Sequence, residues 1–354
     1  MKRRCLLAAA AACAGPACAA VPTPAPTPAP TASAPQALAP PDPSRPLTGE
    51  LAAHDPTLWV DDSGHWIFST GRGLARLHSR DGLHWQRRDP VFTPATRPAW
   101  WAAQVPAHPA KDEGLDVWAP KVFAHGGRLW LAYSISTFGK NTSAMGLAST
   151  PLAAGPGAPA AQWRDDGLLL ASREGDDFNA IDPDVFTDAQ GALWLAWGSW
   201  WQGLRAAKLD PATLRPQLQG EGAVLGLARR RGGIEAPTLV QRPDAVYLLM
   251  SWGLCCKGVD STYEMRVGRA PAMGQPFVDR AGRPLMEGGG SLLLAGPSGP
   301  SGPGARWFGP GHQDVHRGPA GDTLVWHAYD AAAGGQPRLR SAALRWGADG
   351  WPLL

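Results

Sequence analysis

The chain has 354 residues, with 33 Lys and Arg against 30 Asp and Glu, a formal charge of +3 and 44% hydrophobic residues. That composition can bury a sizeable core and excludes a wholly disordered chain; with no long Lys/Arg run, it also excludes a dedicated nucleic-acid binder, which must neutralise phosphates. Its 43 Gly, 36 Pro and 17 Trp exclude a helical bundle and describe a turn-rich protein with many flat aromatic faces.

Lys2, Arg3 and Arg4 precede an apolar run from Cys5 to Ala14, and small residues follow from Ala17 to Ala20. The pattern predicts a secretory signal over residues 1–20, cleaved near Ala19 or Ala20; the run is about half the length of a membrane span. A secreted or periplasmic product is expected, with lipidation at Cys13, giving a surface lipoprotein, as the alternative. Residues 21–46 carry ten Pro among Ala, Thr and Ser, the composition of an extended, semi-rigid linker. Residues 47–354 remain as the folded domain, and the cysteines left in it are Cys255 and Cys256. Neighbours of this kind either close a vicinal disulfide or stay as two buried thiols, and both readings stand.

Past the linker, no window sustains apolar residues at i, i+3, i+4 and i+7, whereas short apolar runs recur between Gly, Asp and Pro clusters. The domain therefore reads as all-β. One phrase repeats along it: a small or acidic residue plus Pro, a short strand, a polar turn, then an aromatic-rich strand. Copies are DPTLWVDDSGHWIFST from Asp55, APKVFAHGGRLWLAYS from Ala119, DPDVFTDAQGALWLAWGS from Asp182 and APTLVQRPDAVYLLMSWG from Ala236. A degenerate fifth copy, GHQDVHRGPAGDTLVWHAYD, starts at Gly311. Pro precedes the first aromatic of the second strand by 10, 10, 11 and 10 residues, which fits a hairpin. Successive copies start 64, 63, 54 and 75 residues apart, leaving room for two more strands in each. Five units of four strands predict a five-bladed β-propeller, with Trp66, Trp130 and Trp194 packed between blades. A β-sandwich, the rival, gives no reason for the even spacing.

A propeller turns the first strand of each blade toward the central channel, so equivalent positions of the phrase converge. Asp55 and Asp182 stand directly before Pro, and Glu235 stands one residue earlier in GIEAP. Singly, such acids are ordinary turn residues. Three of them from three copies crowd like charges and push pKa values apart, which points to chemistry. A pair of carboxylates across a bond, one acid and one base, is the apparatus of glycoside hydrolysis. Trp118, Phe138, Trp200 and Trp201 stand beside the phrases on the same side, placed as platforms for sugar rings. His312 opens the fifth phrase and should also reach the channel. With His316 it makes an H-x-x-x-H spacing, but Gln313 replaces the Glu of a zinc hydrolase and the Gly-Pro-Gly upstream precludes the helix.

The phrases HDPTLWV, DVWAPKVF, YSISTFGKNTSAMGLAST, FNAIDPDVF, WGSWW, GIEAPTLV and SWGLCCKGVDSTYEMRVGRA resemble those of glycoside hydrolase family 43, and among its members the endo-α-1,5-L-arabinanases. The likeness runs from Leu47 to the C-terminus. It implies a five-bladed propeller that hydrolyses internal α-1,5 linkages of arabinan with inversion. It further implies Asp55 as the general base, Glu235 as the general acid, and Asp182 as the residue that orients that acid and raises its pKa. Trp118, Phe138, Asn179, Ser199 and Trp200 would contact the substrate, and a calcium ion on the axis would take His312 as ligand. Gln313 departs from the Asn that commonly follows this His. An exo-acting relative, an arabinofuranosidase or β-xylosidase, is the alternative; in another class it is a propeller that binds carbohydrate without cleaving it. The expected partner is arabinan or its oligosaccharides, met by a monomer with no membrane span.

Overall fold

The computed structural model describes residues 46–108, 111–297 and 305–354. The signal segment, Cys13 and the linker before Pro46 lie outside them. Strands form five sheets. The first holds Thr57–Asp61, Gly64–Ser69, Ala75–Ser79 and His84–Arg88. The second holds Asp116–His125, Arg128–Ile135, Ser143–Pro151 and Arg164–Ser172. Asp184–Thr187, Leu193–Trp197, Leu204–Lys208 and Val224–Ala228 make the third. Ile234–Gln241, Val246–Trp252, Glu264–Ala270 and Ser291–Ala295 make the fourth, and Trp307–Gly318, Gly321–Asp330, Gln336–Trp346 and Pro352–Leu353 the fifth. Each is an antiparallel meander, and the repeated phrase is its first hairpin. In blade 1, for example, Trp59 pairs with Trp66 across a turn that ends at Gly64. A Cβ on Gly64 would lie 2.4 Å from the Ser79 carbonyl, and its φ is 123°, so that turn requires glycine.

The first strands of neighbouring blades touch one another all the way round, the fifth meeting the first. Five hydrophobic clusters fill the five blade interfaces. Trp66 packs with Val122, Leu129 and Leu131 between blades 1 and 2, and Trp194 with Leu239 and Leu248 between blades 3 and 4. Blades 5 and 1 share Leu58, Ile67, Val325 and Leu339. That arrangement is the five-bladed propeller the phrase spacing predicts. Its seam is stapled from the N-terminal side: Thr48–Gly49 pairs in parallel with the outer strand of blade 1, and the Leu339 amide of blade 5 donates to the Leu51 carbonyl at 2.8 Å.

The phrase spacing does not foretell the backbone at its first residue. Asp55, Ala119, Asp182, Ala236 and His312, the equivalent residue of each blade, all have left-handed backbone, with φ of 53°, 43°, 59°, 56° and 47°. Strand register breaks at this place in blades 2, 4 and 5. Proline has no N–H for the ladder, so a bulge is the conformation that admits it, and the bulge re-aims the side chain before it. Two residues further on, Thr57, Lys121, Asp184, Thr238 and Asp314 form a second tier. Lys121 Nζ lies 2.7 Å from Asp184 Oδ1 and 2.7 Å from Asp314 Oδ1, and Thr57 donates to Asp314 at 2.6 Å. All five are buried or nearly so, so this tier plugs the axis. Beyond it, on the side away from Asp55, is a cavity of about 220 Å³ lined by Trp59, Lys121, Phe186 and His316.

Candidate active site

All five left-handed residues have their backbone N–H held by a side chain of the preceding blade, four of them by an acceptor on the second strand or directly after it. Asp55 donates to His327 Nδ1 at 3.1 Å, Ala119 to Thr70 Oγ1 at 2.8 Å, Asp182 to Ser134 Oγ at 3.1 Å and His312 to Ser251 Oγ at 2.8 Å. The acceptors sit at the ends of second strands. In blade 3 that position is Gly198, which has no side chain to offer, and Asp182 Oδ2 accepts from the Ala236 N–H instead, at 3.2 Å. One missing hydroxyl thus ties the Asp182 carboxyl to the chain that carries Glu235.

Asp55, Asp182 and Glu235 are all buried, and they sense one another's charge across the channel mouth. Asp55 Oδ2 accepts from Thr70 at 2.5 Å and lies 2.8 Å from His54 Nδ1, while Oδ1 lies 3.0 Å from His312 Nδ1. Burial alone would raise Asp55, but His312 and then His54 outweigh it and hold the carboxyl well below the usual carboxylate range. Burial raises Asp182 to about 8; Glu235 and Asp55 add to the rise, and His312 opposes it. Glu235 accepts from Ser199 at Oε2 and from Tyr263 at Oε1, both at 2.7 Å. Burial and the surrounding acids lift the Tyr263 phenol well above its ordinary value, so it remains a donor. One carboxylate ready to take a proton, Asp55, thus stands across the mouth from one that retains its own, Asp182, the kind of opposed pair an acid–base reaction needs.

The other expected residues fall into place less uniformly. Phe138 and Trp200 are exposed, at 70% and 38%, on the loops that follow the second strands, and so lie on the face where the acids open; Trp201, Leu254 and Val259 are exposed there too. Flat apolar groups left in water around an acidic mouth suit the faces of sugar rings. Trp118 is half-buried directly before Ala119. Asn179 is buried; its amide donates to the Lys140 carbonyl at 3.3 Å, and its Oδ1 has no partner among the described residues. The Ser199 hydroxyl is committed to Glu235, so its place is behind the acid. The sequence does not single out His54, Thr70, Tyr263 or His327. His54 carries one signal, its place in HDP, and Tyr263 has DSTY; the strand-end positions of Thr70 and His327 give none.

His312 Nδ1 is engaged by Asp55, and Nε2 makes no hydrogen bond to a described residue. A carboxylate on one ring nitrogen orients the other toward an ion, and Asp55, Asp182 and Glu235 raise His312 to about 9 against the lowering by burial, so the mouth attracts positive charge. These features fit a cation with one imidazole ligand. Gln313 is not available to it: its Oε1 accepts from Ser251 at 3.1 Å and its Nε2 donates to the Ala236 carbonyl at 2.9 Å.

Residues 46–352 match the family described as Glycosyl hydrolases family 43. The extracellular endo-α-(1→5)-L-arabinanase 1 of Bacillus subtilis (strain 168) is 39% identical, over 84% of this chain and 86% of that relative. The extracellular exo-α-(1→5)-L-arabinofuranosidase of Cellvibrio japonicus (strain Ueda107) is 36% identical, over 86% and 87%. Among solved structures, the family 43 endo-arabinanase of Bacillus licheniformis is 39% identical with a TM-score of 0.77, covering 88% of this chain and 100% of that one.

Proposed function

The chain belongs to glycosyl hydrolases family 43, and from that premise we propose that it hydrolyses internal α-1,5-L-arabinofuranosidic linkages of arabinan with inversion at the anomeric carbon. The observation that carries the reading is the opposed titration of two acids on one channel mouth: Asp55 is held ionised and Asp182 is raised to about 8. Asp55 takes a proton from the water that attacks the anomeric carbon. Glu235 gives a proton to the departing sugar oxygen, with Tyr263 and Ser199 holding its two oxygens. Asp182 is anchored on the Ala236 N–H, in the strand that carries Glu235, and fixes its own carboxyl beside that acid. The endo reading is supported by the two endo-arabinanases at 39% identity; the exo-acting relative at 36% keeps an exo product in view.

The test combines product sizing with variants. On linear arabinan, oligomers of mixed length appear early for internal cleavage, whereas a single small product from the outset would assign exo action. Asp55→Ala, Asp182→Ala and Glu235→Ala each lose activity by orders of magnitude with unfolding temperature retained. On an aryl glycoside with a good leaving group, Glu235→Ala alone recovers, because such a group departs without a proton. Recovery by Asp55→Ala instead would exchange the two roles.

We also propose His312 as the ligand of an axial calcium ion, supported by its Asp55-oriented ring and the acids around it. Such an ion supplies positive charge and ordered water at the mouth; the acid and base steps belong to the protein's own carboxyls. Calcium titration followed by calorimetry should lose its signal in His312→Ala, and an unchanged isotherm would reject the assignment. Export through the residue 1–20 signal is supported by the extracellular relatives. Among the described residues no helix is long and apolar enough to cross a membrane. The mass of the mature chain tells cleavage near Ala20 from a lipid at Cys13.

A further inference from the structure

Beside the acids lies a chain of contacts that the acid and base steps do not use. His54 directly precedes Asp55, and its two ring nitrogens are both engaged: Nδ1 is 2.8 Å from Asp55 Oδ2 and Nε2 is 3.0 Å from the Tyr329 hydroxyl. Tyr329 accepts from the Cys256 N–H at 2.7 Å, and Cys256 is disulfide-bonded to Cys255, so of the two states the sequence leaves open the structure holds the bridge. Cys256 is exposed, whereas Tyr329 is buried. The His54 ring stacks on His327, centroids 4.0 Å apart, and His327 is the acceptor for the Asp55 N–H. Donor and acceptor roles run one way along this chain. A backbone N–H only donates, so the Tyr329 oxygen accepts from Cys256 and its own proton is free for His54 Nε2. With Nε2 accepting, the imidazole proton sits on Nδ1 and is donated to the Asp55 carboxylate.

We propose that His54 and Tyr329 are positioning residues for Asp55, and that the Cys255–Cys256 disulfide, through the Cys256 N–H, fixes the outer end of their hydrogen-bond chain. The proposal rests on Asp55 being the general base. The loop around the disulfide is tied down independently of it. Leu254 donates to Thr262 Oγ1 at 3.1 Å, the Thr262 N–H donates back to the Leu254 carbonyl at 3.0 Å, and Lys257 donates to Ser261 Oγ at 3.0 Å. Opening the bond therefore frees the peptide between the two cysteines and the Cys256 sulfur, which lies 3.8 Å from His54 Nε2, and the effect travels to Asp55 through His54, chiefly by way of Tyr329. A base that loses its outer support samples orientations in which the attacking water is misplaced, and misplacement lowers turnover more than binding.

The experiment measures kcat and KM on linear arabinan oligosaccharides with and without a water-soluble tertiary phosphine. The phosphine takes the oxygen of water to become its oxide while the S–S bond opens to two thiols, each sulfur gaining one proton. Reduction of the wild-type protein should lower kcat about tenfold with KM little changed. Tyr329→Phe should show a similar loss and a much smaller further response to the phosphine, the remainder passing through the Cys256 sulfur beside His54 Nε2. His54→Ala should lose kcat, and His54→Asn, which keeps an N–H at the Nδ1 position, should recover most of it at the same unfolding temperature. A rise in KM at unchanged kcat on reduction would overturn the proposal, making the disulfide a wall of the substrate groove. So would a phosphine effect in Tyr329→Phe as large as in wild type. Asp55→Ala, run alongside, separates the two levels. Full activity there would remove the base assignment itself, whereas an inactive Asp55→Ala beside a fully active His54→Ala overturns the positioning chain alone.

Discussion

Asp55 and Asp182 occupy the same rung of two blades, share the left-handed backbone, and yet are driven in opposite directions by their neighbours. Asp55 has two histidines on its carboxyl oxygens; Asp182 has the Ala236 N–H and two acids close by. The difference has a consequence for stability. The folded carboxyl of Asp182 titrates at about 8, against an ordinary value of 3.8, so between these values the folded chain holds a proton that the unfolded chain lacks. Unfolding then releases that proton, and the contribution of Asp182 to stability falls as pH rises from about 4 to 8, levelling off above. A tenfold difference in proton affinity between the folded and unfolded chain is worth about 1.4 kcal/mol, so the whole effect is on the order of a few kcal/mol. Asp182→Asn keeps an oxygen for the Ala236 N–H and removes the titration. In chelator, the variant should lose less of its unfolding temperature than wild type between pH 5 and pH 8, and be the more stable protein at pH 8 while nearly inactive. Parallel stability profiles for the two would contradict the buried, proton-holding carboxyl. In wild type the fall of kcat/KM on the alkaline side should lie near pH 8, where Asp182 gives up its proton.

At the scale of the element, the left-handed residue before each proline is where fold and site meet, and it is the part of the site least visible in the amino-acid string. The Pro in four copies announces a break in the ladder, but the left-handed turn that aims the preceding side chain at the axis is a property of the paired strands. Gln313 in the fifth copy has no ring to announce anything, although the bulge persists there. Aspartate and histidine tolerate this backbone better than alanine, so blades 2 and 4 carry strain at Ala119 and Ala236 of about 1 kcal/mol or more. Ala119→Gly should therefore be neutral or stabilising by up to about 1 kcal/mol. Ala207→Gly, at a buried site inside the regular strand Leu204–Lys208, should cost about 1 kcal/mol. Urea unfolding of the two variants checks this. Equal losses would mean that the shared positive φ is not a source of strain. Thr70 closes the phrase that Asp55 opens, but the other partners were hidden for a related reason: Tyr263 reaches Glu235 from another strand and His327 reaches Asp55 from another blade, and no spacing along one phrase encodes such neighbours.

The architecture itself was legible because a propeller writes its repeat into the chain five times, and aromatic positions such as Trp66 and Trp194 recur with the blade. The closure of the ring was less so. Residues 48–52 belong to none of the five phrases, and Pro46 reads as the end of the linker, yet this segment joins the outer strand of blade 1 to the third strand of blade 5. Leu47 and Leu51 also pack against the cluster that holds these two blades together. The seam it guards is the one nearest Asp55, whose backbone N–H crosses from blade 1 to His327 of blade 5. A propeller opened at this interface would separate Asp55 from its support before the rest of the ring yielded. Two truncations test that coupling. A chain beginning at Pro46 should unfold at the temperature of a chain that retains the linker, with full activity. A chain beginning at Ala53 loses the parallel pairing, the Leu51–Leu339 hydrogen bond and part of the apolar contact, about 3 kcal/mol together. Its unfolding temperature should drop by several degrees, and activity should fall at temperatures well below the global transition, because the seam opens first. If activity and global unfolding instead decline together in the shorter chain, the blade 5 to blade 1 interface is no weaker than the other four, and the N-terminal staple is not what keeps Asp55 in register with the acids across the axis.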